Sequence, residues 1–119
     1  MLFRSVVSLR GDSNHLIPSP VHPGTTISSD SILSYSINPT SGVLTFANSV
    51  PSGGNIPRQF SLNNTGDKIA IVSQRDGWVS IFERDIVTGK IGKLIGTKGG
   101  FGGPNDMGPV CILWDSTKA

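Results

Sequence analysis

The chain has 119 residues, enough for one small domain with a modest core. Its 15 glycines and 8 prolines favour many tight turns over long helices. A formal charge of +2 without any run of lysine or arginine argues against nucleic acid as a partner. No apolar stretch reaches the roughly 18 residues of a membrane-spanning helix, so no membrane partner is expected.

Residues 1–10, MLFRSVVSLR, read as a single strand preceding the rest of the fold. The apolar run there is too short for a secretory leader, and no small-residue cleavage site follows it. Residues 11–29, GDSNHLIPSPVHPGTTISS, are polar, proline-containing and without period, and are read as an inserted loop. His15 and His22 fall in this loop with no cysteine or close aspartate pair beside them. They are read as surface histidines, and no metal site is expected.

From Asp30 onward the pattern changes. SILSYSI (31–37) alternates and is rich in strand formers, and VLTFANSV (43–50) reads as its returning strand after the turn NPTSG. After PSGGN come a short strand RQFSLN, the turn NTGD and a strong strand KIAIVSQ (68–74). WVSIFERD (78–85) and the weaker IGKLIG (91–96) follow, each after a glycine-bearing turn. The glycine-rich stretch 97–108 leads to a closing strand PVCILWD (109–115). Cys111, the only cysteine, lies in that apolar run and is expected to be a buried, inert thiol. Asn63-Asn64-Thr65 spells a glycosylation sequon, which matters only in a secreted chain.

An internal repeat organises these strands. ILSY (32–35) falls on VSIF (79–82) at an offset of 47, Thr40-Ser41-Gly42 falls on Val87-Thr88-Gly89, and Leu44 falls on Ile91. Pro57 of PRQFSL matches Pro109 of PVCILW, and VVSLRGD (6–12) resembles IVSQRD (71–76), with Arg10 opposite Arg75. A unit of that length with about four strands indicates a β-propeller. The chain holds about two blades of four-stranded antiparallel sheet, so the expected fold is all-β, a partial propeller. Residues 1–10 would be a strand of a preceding blade, 11–29 an inserted loop and 30–119 the C-terminal blades. Gly42, Gly66 and Gly89 are expected at positive φ in the hairpin turns. Phe46, Phe60, Ile69, Ile71, Val79, Ile81 and Ile112 are expected between blades, from their two-residue period.

PRQFSLNNTGDKIAIVSQRDG, WVSIFERDIVTGKIG and GPVCILWD together resemble the last part of the lactonase-family seven-bladed propellers. That family includes propeller-type 6-phosphogluconolactonase and the fungal 3-carboxy-cis,cis-muconate lactonizing enzyme, and the wording is nearest the fungal members. The resemblance implies a C-terminal fragment of an enzyme that hydrolyses or cycloisomerises a small acidic lactone or a muconate, without cofactor. It implies Arg58, in the family's PR-x-F segment, as a ligand of the substrate anion. Arg10, Arg75 and Gln74 join it with looser matches, and Gln59 stands where bacterial members often have histidine. An arginine fork suits a carboxylate or phosphate. The blades carrying the family's candidate catalytic histidine and glutamate are absent here, so no catalytic residue is assigned and the isolated chain is expected to be inactive. The competing reading is a non-enzymatic binding or assembly module that self-associates through open blade edges. Cytoplasmic and secreted locations both stay open.

Overall fold

The computed structural model describes residues 3–102 and 107–115. Among these residues the elements are nine strands: β1 Phe3–Ser8, β2 His15–Pro18, β3 Thr26–Ser29, β4 Ser31–Ile37, β5 Leu44–Pro51, β6 Pro57–Leu62, β7 Lys68–Ser73, β8 Trp78–Arg84 and β9 Ile91–Lys98. They form a four-stranded sheet in the order β6-β7-β8-β9, a three-stranded sheet β1-β4-β5 and a separate hairpin β2-β3, with antiparallel pairing throughout. This is an incomplete propeller of two neighbouring blades, one of four strands and one of three.

The repeat is visible atom by atom. In the β4–β5 turn, Asn38 accepts the Thr40 and Ser41 N–H groups on Oδ1 (2.9 and 3.0 Å), and its carbonyl takes the Gly42 N–H (2.8 Å). In the β8–β9 turn, 47 residues on, Asp85 does the same for Val87 and Thr88 (2.8 and 2.9 Å), with Gly89 on its carbonyl (2.8 Å). Gly42 and Gly89 sit at φ 75° and 77°, where a Cβ would be strained. The two Thr88 and Val87 N–H bonds hold the Asp85 carboxyl below its ordinary range. Gly66, at φ 75°, closes the β6–β7 turn. There the Asn63 amide donates to Thr65 Oγ1 and to Asp67 Oδ1, and its carbonyl takes the Lys68 N–H. The Thr65 and Asn63 bonds pull Asp67 down to about 2. The sequon asparagine is therefore the organiser of a turn.

The apolar core lies between the two sheets: Ile32, Ile69, Ile71, Phe82 and Ile91, with Val6, Val50 and Phe60 packed on it. Ile69, Ile71 and Phe60 stand where the two-residue period put them. Phe46 does not: it is 56% exposed, on the outer face, its ring edge-on to Tyr35 with centroids 5.9 Å apart. The strand expected to precede the blades is instead β1, an edge strand of the same sheet as β4 and β5.

Three further expectations change. Residues 11–29 carry the hairpin β2-β3, with Ile17 opposite Ile27. Its turn is set by Ser19, whose Oγ accepts the Val21 and His22 N–H groups and whose own N–H goes to the Thr25 carbonyl. Each arm is four residues long, too short for period to show. Residues 109–115 are not a ladder strand. They run beside β6, with the Ile112 N–H on Gln59 Oε1 (2.6 Å) and the Trp114 indole on the Ser61 carbonyl (2.7 Å). Without a strand partner to cover it, Cys111 is exposed.

Candidate functional site

Buried polar residues gather at the turn that joins the two blades. Ser52, Gly53, Gly54 and Asn55 are all buried between β5 and β6. Asp30, 1% exposed, binds this turn to everything around it. Its carboxylate accepts the Gly11, Ser13 and Ile56 N–H groups, each at 2.8 Å. Its backbone N–H goes to the Gly54 carbonyl, and its carbonyl takes the Ser52 N–H. Asp12 in turn accepts the Ser31 N–H and hydroxyl. Asp76 accepts the Asn55 N–H from the other side.

The four residues expected to bind an anion lie beside this turn. Arg10 follows β1, Arg58 is in β6, and Gln74 and Arg75 begin the β7–β8 turn. Arg10 Nη2 donates to the Arg58 carbonyl (3.1 Å), and Arg58 Nη1 donates to Gln74 Oε1 (3.4 Å). Three of the four are thus linked in a row across both blades. The Gln74 and Arg75 N–H groups are tied to the Ile56 and Asn55 carbonyls, so the same turn sets their backbone. Arg75 is exposed, and its charge acts on Asp76. Arg10 and Arg58 are exposed, and neither has an ion-pair partner among the described residues. The remaining N–H donors of two guanidinium forks are therefore presented at one rim.

Asp76 is the titratable group nearest this rim with a clear shift. Partial burial raises its pKa, the Asn55 bonds and Arg75 oppose the rise, and Asp30 adds to it. A carboxyl with a raised folded-state pKa favours folding while protonated; that contribution is lost as pH rises from the unfolded value through the folded one. Asp76→Asn keeps an acceptor oxygen for Asn55 and removes the charge. Urea melts should find the variant at least as stable as the parent at pH 7, with its advantage shrinking toward pH 4. An advantage that grows on acidification would contradict this account.

The histidines contribute no second centre. His15 Nε2 lies 3.5 Å from Ser49 Oγ, His22 is exposed in the hairpin turn, and the described residues hold no cluster of three potential metal ligands. An apolar cavity of about 460 Å³ lies between β2, β5 and the β8–β9 face, lined by Ile17, Pro18, Val50, Phe82 and Leu94 among others. No titratable side chain lines it, so it offers no acid–base chemistry. No helix among the described residues is long and apolar enough to cross a membrane. The buried turn that aligns the rim had no sequence signal beyond the pair Gly53-Gly54, which reads equally well as an ordinary loop.

Residues 5–113 match the family model described as lactonase, 7-bladed beta-propeller. The chain belongs to this lactonase family. A 6-phosphogluconolactonase of Formosa agariphila is 37% identical over 65 residues, covering 55% of this chain and 18% of that protein. Two solved structures share the fold of this lactonase-family chain. The periplasmic gluconolactonase of Pseudomonas aeruginosa superposes with a TM-score of 0.59 at 15% identity, covering 92% of this chain and 28% of that one. A putative 6-phosphogluconolactonase of Bacteroides uniformis gives a TM-score of 0.57 at 23% identity, covering 82% and 27%. The chain thus spans less than a third of the length of these relatives.

Proposed function

We propose that this chain supplies the anion-holding part of a propeller rim that takes a small acidic lactone or a carboxymuconate. The observation that carries the reading is the row Arg10–Arg58–Gln74, with two exposed guanidinium groups across a blade boundary. Guanidinium forks bind carboxylate or phosphate through paired N–H donors. Membership of the lactonase family supports lactone hydrolysis or muconate cycloisomerisation as the parent chemistry. Gln59 is no proton donor or acceptor for such a step, since an amide does not titrate; it holds the Ile112 N–H. The rim therefore binds and orients, and the proton transfer belongs to groups on the rest of a ring. The 119-residue chain alone is expected to bind an anion and not to turn it over.

Calorimetric titration of 6-phosphogluconate and of cis,cis-muconate into the chain tests this. Arg58→Ala should weaken binding about tenfold, the loss of one charge-assisted pair, and Arg58→Lys should restore only part of it. Equal affinity in the parent and Arg58→Ala would remove the rim from consideration. A second reading, a binding or assembly module, is favoured by the edge position of β1 and by the exposed apolar face around Phe46.

A further inference from the structure

We propose that the cavity under the β2–β3 hairpin is a second binding site, one that takes a neutral, ring-bearing apolar small molecule. No residue of the anion rim lines it, so the proposal stands apart from that reading.

Three elements enclose the space. Phe82 and Leu94 are a cross-strand pair of β8 and β9, so both point to the same face, and Phe82 belongs to the core between the sheets. They form the floor of the cavity. Val50 and Pro51, at the end of β5, form a wall. Ile17, Pro18 and Pro20 of the hairpin form the roof. The roof is tied down on both sides. Asn55 Nδ2 donates to the Ser28 carbonyl (3.0 Å), Ser29 Oγ donates to the Gly54 carbonyl (3.1 Å), and His15 Nε2 lies 3.5 Å from Ser49 Oγ of β5. The hairpin is thus held by the same buried turn that joins the blades. A pocket fixed in this way needs little ordering when a ligand enters. Repeat units contact only their neighbours, and this seam lies between two adjacent blades that are both on the chain.

The lining sets the class of ligand. None of the described residues around the cavity carries a charge. Pro18, Pro20 and Pro51 bring no backbone N–H to it. Its polar groups are engaged with the protein. Ser19 Oγ accepts the Val21 and His22 N–H groups, the Gly53 carbonyl takes the Trp78 indole, and Thr97 Oγ1 lies 3.5 Å from Ser80 Oγ. An ionised ligand would lose its hydration here and find no partner, whereas a neutral one gains apolar contact without that cost. The volume, about 460 Å³, falls in the range of about 300–1,000 Å³ usual for small-molecule sites. An apolar cavity of about 150 Å³ is enough for one benzene ring, so this one has room for about three.

The test is a titration of the full chain with N-phenyl-1-naphthylamine, a neutral ring molecule whose fluorescence rises in apolar surroundings. Saturable binding is expected. It should be lost in Leu94→Trp, which fills the cavity from a half-exposed position. Leu94→Glu puts a charge on the floor without added bulk and should also lose it, which covers the case of a misfolded tryptophan variant. Leu16→Trp, at an exposed position of the hairpin outside the cavity, should bind like the parent. The 8-sulfonate of the same molecule, which differs only in its charge, should bind less tightly. 6-Phosphogluconate should not displace the neutral probe. Absence of saturable binding in a chain whose β signal is intact by circular dichroism overturns the site. So does binding that survives both Leu94 substitutions, or equal or tighter binding of the sulfonate. Displacement of the neutral probe by 6-phosphogluconate overturns it as well, since the probe would then sit at the anion rim.

Discussion

Asp30→Ala is expected to cost about 3–5 kcal/mol, because three partly buried N–H groups lose a buried charged acceptor at once, and a hydrogen bond to a charged group is worth about 1.5–3 kcal/mol. The donors are Gly11, Ser13 and Ile56, and two of them are held in a conformation that needs this support. Among the described residues, Ser13 and Ile56 are the non-glycine residues at positive φ, 46° and 55°. For a β-branched side chain that region is costly, and it persists only where surrounding bonds fix it. Here one carboxylate fixes both. Loss of the carboxylate should release Ser13, and with it the start of the β2–β3 hairpin, and release Ile56, which leads into β6 and Arg58. Small domains hold about 5–15 kcal/mol in total, so the variant should be largely unfolded in modest urea. Asp30→Asn retains one acceptor oxygen and should fall between the parent and Asp30→Ala. A midpoint for Asp30→Ala within 1 kcal/mol of the parent, by urea unfolding followed by circular dichroism, would mean that the turn is held by something other than this carboxylate. Since Arg10 and Arg58 sit on the two segments that Asp30 joins, anion binding should be lost along with stability.

What was legible in the sequence follows from which forces act locally. β4 through β9 were readable because alternation over six or more residues and a glycine at each turn both report backbone geometry directly. The repeat was readable because Asn38 and Asp85 perform the same turn with different side chains, leaving the Gly42 and Gly89 positions in common. The hairpin within 11–29 was not readable, since two four-residue arms carry too few apolar positions to show a period. PVCILWD was read as a strand from composition, and strand composition describes what a segment fits rather than whether a partner edge is present. Cys111 and Phe46 are exposed for that same reason: among the described residues no element packs over either. The residues proposed to bind an anion were named one by one from resemblance, and the structure brings three of them, Arg10, Arg58 and Gln74, into one row. The link between them, the buried turn around Asp30, is made of contacts spanning 17 to 26 residues, beyond the reach of any local pattern.

Gly53→Ala is the other substitution expected to be severe, and it separates two causes. A Cβ at residue 53 would lie 2.3 Å from Ser80 Oγ and 2.7 Å from Ser80 Cβ, closer than atoms can approach. The residue is also at φ 99°, which an L side chain avoids at a cost of about 1–2 kcal/mol. Overpacking of a tight interior adds about 1–3 kcal/mol, so the single variant should lose about 3 kcal/mol. Movement cannot relieve it cheaply, because the Gly53 carbonyl accepts the Trp78 indole at 2.7 Å and Trp78 is buried. Ser80→Gly removes both offending atoms. The new methyl would then meet Phe82 Cε2 at 3.6 Å, an ordinary contact. Ser80→Gly alone should cost about 1 kcal/mol as a glycine inside a strand. The double variant should therefore be more stable than the sum of the single losses by about 1–3 kcal/mol, the range expected for residues in direct contact. What remains uncompensated is the φ cost alone. Strict additivity in urea melts would mean that the backbone angle, and not the contact between the inter-blade turn and β8, is what requires glycine at this position.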